Sequence, residues 1–265
     1  MQVNLEFEDT YLHANASDKN TTLTSAKTPP TLNEMKFSSL AQHLYAAFPF
    51  LAVPILLITC NVWWAFTSPI MYNYGFHRNN TAEATGISSR DLDSVTKDFI
   101  AYFSSPIEFL EIDVMISGVN RPLLNNRELI HMRDVKHLVR GTAQLRNVIL
   151  VSLTIYLIAG FYLSRKEFSA ILAKRLRNVG IVTIPTILGI GLLLAMAFPA
   201  LFHAFHVISF SNSFWMLDPR TDYLVRLFTY QFFLEATLLI VGATLTELTL
   251  IAVLAVGWSR ISGSK

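Results

Sequence analysis

Val179–Leu201 reads VGIVTIPTILGIGLLLAMAFPAL, and the chain continues through Leu201–Asp222 as LFHAFHVISFSNSFWMLDPRTD. The first run is uncharged and has the ~20 residues a helix needs to cross a hydrocarbon core. The second is aromatic and carries His203, His206, Asp218 and Asp222. It is too polar for a membrane span and too aromatic for an ordinary loop. The join between the two sets the fold class, because it places a histidine-bearing segment where a helix leaves a membrane.

Three more apolar runs lie outward from this join. Residues 236–258 form one after it, and 148–163 and 45–66 precede it. The first of these in the chain, YAAFPFLAVPILLITCNVWWAF (45–66), contains Pro49 and Pro54, which bend a helix, and ends in the aromatic belt of Trp63, Trp64 and Phe66. Asn61 near that end is a hydrogen-bonding candidate inside a bundle. Residues 148–163 are short for a span, but Arg146 and Arg165 can snorkel at its ends. Gly189 and Gly191 in 179–201 favour close helix packing. The expected fold is all-α: a polytopic membrane protein with four transmembrane helices and a helical extracytoplasmic part.

Composition agrees. Of 265 residues, 52% are hydrophobic and 15% charged, against roughly 25% charged in a soluble domain. The net charge of +2 gives no basic bias towards nucleic acid. Cys60 is the only cysteine, which excludes an intrachain disulfide and cysteine-built zinc sites. Residues 1–36 are rich in Thr, Asn and Ser and read as a disordered cytoplasmic tail. The linker 165–178 has Arg165, Lys166, Lys174, Arg175 and Arg177 against Glu167 alone. Short basic loops stay in the cytoplasm, so both termini are expected there, with 67–145 and 202–235 on the outer face.

Within 67–145, Ser88-Ser-Arg-Asp91 has the form of a capping box, and Leu92, Val95, Phe99, Ile100 and Phe103 follow at helical spacing. That amphipathic helix either lies on the bilayer surface or caps the bundle. A second helix is expected over 127–145, with Met132, Val135, Leu138 and Val139 as its packing side and Glu128, His131 and Asp134 fanning over another.

His131 and His206 are the leading candidates for chemistry. One precedes the second span and the other follows the third, so both fall at the outer end of the bundle. A histidine titrates near neutral pH and suits proton transfer; the plainer reading is that each ties down a loop at the interface. His203, three residues before His206, and His137 make a metal site with His131 and an aspartate conceivable, but no spacing typical of zinc ligands occurs. Asp218-Pro219 favours a turn, and Asp218 or Asp222 serves either as a helix cap or as a carboxylate orienting a histidine. Trp215 and Phe214 fit an aromatic belt or a contact to a substrate chain. Glu247, mid-span among Thr244, Thr246 and Thr249, is either bonded to a neighbouring helix or part of a proton path. There is no phosphate-binding glycine loop and no Gly-x-Ser-x-Gly elbow.

Together, Glu128-Leu-Ile-His131-Met-Arg-Asp134-Val-Lys136, Phe205-His206-Val-Ile-Ser-Phe210, Trp215-Met-Leu-Asp218-Pro219 and Asp222 resemble the lipoprotein intramolecular transacylases, four-span membrane proteins of Gram-positive-type bacteria. Tyr72-Asn-Tyr-Gly-Phe76 and Thr85-Gly-Ile-Ser88 are also similar, and the resemblance spans 45–258. Ser209 and Thr229-Tyr230 depart from it, where a large apolar residue and a proline-containing step are expected.

The resemblance implies an acyltransferase in a bacterial plasma membrane, acting at the extracytoplasmic face on diacylglyceryl-modified lipoproteins anchored in membrane lipid. It would move the sn-2 acyl chain to the α-amine of the same N-terminal cysteine, giving an N-acyl lyso-form lipoprotein. The family's two functional histidines fall on His131 and His206. The first is assigned as base for the amine and the second as oxyanion stabiliser or acid, an order that can be exchanged. Glu128, Asp134, Lys136, Trp215, Asp218 and Asp222 are the supporting or substrate-orienting candidates. No cofactor, metal or nucleic acid is implied. A metal-dependent membrane hydrolase and a non-enzymatic membrane-anchored binding protein are the competing readings, and a transporter is the weakest.

Overall fold

The computed structural model describes residues 39–263; the expectation of a disordered tail over 1–36 falls outside them. Helix α1 (Ser39–Thr67) is followed by α2 (Pro69–Arg78), α3 (Thr81–Thr85) and α4 (Ser89–Ser104), then by strands β1 (Asp113–Ile116) and β2 (Val119–Pro122). A very long helix, α5 (Asn126–Ser209), a single turn α6 (Leu224–Leu227) and α7 (Tyr230–Gly263) complete the chain.

Helix α5 is two limbs, Asn126–Arg165 and Glu167–Ser209. They meet at Arg165, whose φ of 43° and ψ of −115° break the helix. The basic segment 165–178, expected as a linker, is therefore almost wholly helical, because the chain reverses at one residue and the next helix starts at Glu167. The limbs run antiparallel: Phe168 packs on Gly160, Arg175 hydrogen-bonds the Tyr156 hydroxyl, and at the far end His131 meets His206. Close approach at the bend needs the glycine, since a Cβ on Gly160 would stand 2.0 Å from the Phe168 ring.

Both limbs, α1 and α7 are long and apolar enough to cross a membrane. They form an up-down-up-down bundle. Tyr45 stacks on Tyr156 near one end of α1, and Trp63 receives Arg146 near the other. Gly180 faces Ala252 and Gly191 faces Val241, so the second limb runs antiparallel to α7. Val53, Val179, Ile187 and Leu248 form the bundle's interior. The outward faces are apolar too, with Met196 85% and Leu254 71% exposed, as expected of helices solvated by lipid rather than water. One polar lock crosses the interior. The Asn61 amide donates to Thr244 Oγ1 at 3.1 Å and to Glu247 Oε2 at 3.0 Å, so Glu247 has the neighbouring-helix partner its position calls for.

At the end opposite the bend, α2, α3, α4, the hairpin and α6 build a cap over the bundle. The amphipathic α4 belongs to its core: Leu92, Val95, Phe99 and Phe103 are buried, with Tyr72 and Phe228 against them. Ser88 caps α4, accepting from the Asp91 amide and donating to the Asp91 carboxylate. The cap is not purely helical, as the sequence led us to expect. Ser117 (φ 50°) and Gly118 (φ 84°) form a two-residue turn with both residues left-handed, and β1 pairs antiparallel with β2, Ile116 opposite Val119. Alternation then buries Val114 and Ile116 and exposes Asp113 and Met115.

Asn125 starts α5. Its side-chain oxygen accepts from the amides of Arg127 and Glu128, while the Glu128 carboxylate accepts from the Asn125 amide, a reciprocal capping box. Replacing Asn125 by Ala removes these bonds and the one its amide gives Asp222. The variant should unfold at a free energy lower by about 1–2 kcal/mol, measurable by thermal denaturation in detergent against the intact protein.

Candidate active site

His131 lies in the second turn of α5 and His206 in the last turn of its second limb, 75 residues later. The reversal at Arg165 brings these two ends together, and Pro199 interrupts the helical ladder of the second limb near its end, because it lacks an N–H and its ring crowds the carbonyl four residues back. Ala197, two residues before, leaves helical angles (φ −117°, ψ 22°). The two imidazole centroids lie 6.1 Å apart, inclined at 34°, and both residues are buried.

Their environments differ. The Nδ1 of His206 is 2.7 Å from the carbonyl oxygen of Phe202. A carbonyl only accepts, so this nitrogen carries the proton and leaves Nε2 with a free lone pair. The Nδ1 of His131 is buried with no hydrogen-bond partner among the described residues. His131 belongs to the charged stretch ahead of the second apolar run, and burial together with the neighbouring His206 holds its pKa well below the ordinary histidine value. It is therefore neutral at physiological pH.

Aromatic rings surround the pair. Phe202 meets His206 at 4.4 Å and Phe210 meets His131 at 5.1 Å and His206 at 5.6 Å. Trp215 meets His206 at 5.1 Å and His203 at 5.3 Å. Phe202 is in turn held by Phe198, Tyr230 and Phe233. The departure at Thr229-Tyr230 has a structural role. Thr229 Oγ1 accepts from the Phe232 amide at the start of α7, and the Tyr230 ring closes on Phe198.

The carboxylates hold the frame. Glu128 is 1% exposed; one oxygen accepts from the Asn125 amide at 2.8 Å and the other from the Leu224 amide at 2.6 Å. Burial raises its pKa and those two N–H bonds oppose the rise. Asp222 accepts from the Asn125 side chain and from the Asp218 amide. Asp134 accepts from the Asn212 amide group at 2.8 Å, fixing the loop that follows His206. Lys136 is turned away from the histidines: it donates to Ile107 O and lies 3.8 Å from the centroid of the Tyr102 ring. Asp218 faces solvent paired with Arg220, which pulls its pKa down to about 2. Among the described residues, no three His, Cys, Asp or Glu side chains converge closely enough to hold a metal ion.

A family model for the lipoprotein intramolecular transacylase Lit matches residues 47–233. The chain belongs to the Lit family. Its fold is also that of the membrane-integral Lit of Bacillus cereus determined in meso, at 19% identity and a TM-score of 0.69, covering 85% of this chain and 99% of that one. Forms of that protein with a His-to-Ala and a His-to-Arg substitution match at 16% identity, with TM-scores of 0.66 and 0.65. Each covers 85% of this chain and, respectively, 97% and 95% of the other. No curated protein matches in sequence. This chain is thus a membrane-integral Lit-family enzyme.

Of the residues singled out from sequence, the structure of this Lit-family chain brings together His131, His206 and Trp215. Glu128, Asp134 and Asp222 stand one layer behind as frame, and Lys136, Asp218 and His137 are apart from the pair. Sequence reasoning passed over Asn125 and Asn212, and named Phe210 only as the end of a stretch similar to the family. The first two were signalled by Asn-x-x-Glu ahead of an apolar periodic run and by Ser-Asn-Ser between aromatic residues. As a contact of both histidines, Phe210 carried no signal beyond its place in that stretch and its closeness to His206. Replacing Glu128 by Gln would set an amide N–H₂ against a backbone N–H. We expect a loss of about 1–3 kcal/mol, read as a lower unfolding temperature.

Proposed function

We propose that this protein moves the sn-2 acyl chain of a diacylglyceryl-cysteine to the α-amine of that same cysteine, at the outer face of a bacterial plasma membrane and without a metal ion. Family membership supports the reaction class, and the histidine pair supports the chemistry. The basic residues Arg165, Arg175 and Arg177 lie at the bend, opposite the histidines. The positive-inside rule puts that end in the cytoplasm and the cap outside, where a lipid-anchored lipoprotein presents its N-terminus.

The observation that carries the mechanism is the contact of His206 Nδ1 with the Phe202 carbonyl oxygen. With Nδ1–H bonded to Phe202, His206 presents a basic Nε2. It takes a proton from the attacking amine while nitrogen bonds to the ester carbonyl carbon. Neutral His131 donates an N–H to the oxygen on which charge develops. The tetrahedral intermediate collapses with cleavage of the C–O bond to glycerol, and His206 returns its proton to the leaving oxygen. One C–N bond replaces one C–O bond and one proton passes from nitrogen to oxygen. This exchanges the roles first assigned from sequence; the contact of His206 Nδ1 with the Phe202 carbonyl supports the exchange, since it leaves Nε2 as the basic nitrogen. Ester-to-amide transfer runs downhill, so no nucleotide is needed.

The product is an isomer of the substrate, so intact mass does not distinguish them; fragment ions of N-terminal lipopeptides do. In cells expressing the protein, N-acyl lyso-glyceryl cysteine should appear. His131→Ala and His206→Ala should each lower its formation by about 10²-fold or more. Unchanged diacylglyceryl lipopeptides with the intact protein well expressed in the membrane would refute the reading. With purified protein, the rate below saturation should rise through about pH 6–8 with deprotonation of the α-amine, whose pKa is about 7.7–8. His131, with its pKa lowered and already neutral across that range, should add no inflection near its ordinary value of about 6.5; a second inflection there that disappears in His131→Gln would contradict this assignment.

A further inference from the structure

An acyl ester held beside a general base is open to water as well as to an amine. The ring that closes when the amine reaches the sn-2 carbonyl runs through the cysteine α- and β-carbons, the sulfur, two glycerol carbons and the ester oxygen. It is a medium-sized ring with several free rotors. The effective molarities of rigid intramolecular reactions, about 10⁵–10⁸ M, are therefore not built into this substrate, and nearby water is a serious competitor. Something in the site must choose the acceptor.

The surroundings of the histidines are suited to that choice. Phe210 is the first residue beyond α5; its amide bonds the His206 carbonyl at 3.0 Å, which fixes where the ring starts. The ring is buried and touches both imidazoles, with Phe205 behind it. Trp215 covers His206 from the loop. The buried Nδ1 of His131 has no hydrogen-bond partner among the described residues, and the rings of Phe202, Phe210 and Trp215 stand around the pair. None of these rings can transfer a proton, so acid–base chemistry does not account for their presence.

We infer that Phe210, backed by Trp215, determines the acyl acceptor, barring water from the carbonyl so that the chain passes to nitrogen and not to hydroxide. The inference rests on the transacylase reading above. Opening the wall admits a second reaction. Water oxygen bonds to the acyl carbon, the C–O bond to glycerol breaks, a water proton goes to the glycerol oxygen, and the chain leaves as a free fatty acid with the cysteine amine unmodified.

The test uses the full-length protein in phospholipid vesicles with a synthetic dipalmitoylglyceryl-cysteinyl peptide in ¹⁸O-labelled water. Two products are counted: N-acyl lyso-peptide, and lyso-peptide with a free amine plus ¹⁸O-labelled palmitate. The intact protein should give almost wholly the first. Phe210→Ala should raise the ratio of hydrolysis to transfer by about tenfold or more, since excluding water is what suppresses such side reactions. Trp215→Ala should move it the same way and Phe210→Leu, which keeps an apolar wall, should largely restore it. If Phe210→Ala folds poorly, the Trp215→Ala and Phe210→Leu ratios decide. Slower turnover with an unchanged ratio in these variants would overturn the inference and leave the transacylase reading intact. Absence of N-acyl product from the intact protein would instead overturn that reading.

Discussion

A nearly inaccessible carboxylate couples two parts of the chain 96 residues apart: Glu128 takes the amide of Asn125 on one oxygen and that of Leu224 on the other. A charged group removed from water is costly unless its lone pairs are met, and here both oxygens receive backbone donors. The bond therefore fixes two things at once. It closes the first turn of α5, one turn before His131, and it holds the start of α6, at the end of the loop that follows His206. Asn125 adds a second strand to the tie by donating to Asp222, whose other oxygen accepts from Asp218. Asp134 repeats the pattern about two turns further on with Asn212. Glu128, Asp134 and Asp222 each accept from backbone or amide donors, so each is part of the frame that positions the two imidazoles.

Those imidazoles meet only because α5 doubles back. The reversal takes a single residue, Arg165, and the limbs approach closely where Gly160 admits Phe168. Against α7, Gly180 and Gly191 serve the same purpose, each leaving room for a side chain on the facing helix. In lipid, apolar contact between helices has little hydrophobic driving force, so close packing and polar bonds carry the association. The Asn61–Thr244–Glu247 lock supplies the polar part and ties α1 to α7. With α1 and α7 fixed, Phe233 and Tyr230 press on Phe202, and Phe202 in turn holds the His206 ring by its face and by its carbonyl.

What the sequence made legible follows from the range of the forces involved. The four spans were plain because a hydrocarbon core imposes its length on any helix that crosses it. Helix α4 was plain because Ser88 caps it and its apolar residues recur at helical spacing. The hairpin was overlooked, although Ser117-Gly118 supplies the left-handed residues such a turn needs, because strands of four residues leave a weak alternation beside long helical signals. The linker at 165–178 was misjudged for a different reason. Its basic residues carry the positive-inside argument, but they are also good helix formers, and nothing local says that the reversal needs only Arg165. At the site, His131 and His206 were legible as residues and their meeting followed from span counting. The tautomer of His206 was not, since it rests on a carbonyl orientation that residue types do not encode. Nor was the enclosure by Phe210, which depends on the direction the chain takes after α5 ends.

The site stands at a boundary between two solvents, and that position suits the proposed reaction. Phe205 is 51% exposed and Ile208 84% on the last turns beside His206, and Met216 is 52% exposed in the loop beyond. These apolar groups face outward next to the histidines, while the polar frame of Glu128, Asp134 and Asp222 lies on the cap side. An acyl chain that changes partners from oxygen to nitrogen keeps its hydrocarbon tail throughout. If the tail lay along the exposed rim, it would never leave apolar surroundings, and only the ester and the amine would enter the aromatic enclosure. The cost of desolvation would then fall on a small polar head, one that a neutral histidine pair can serve without the burial of a net charge.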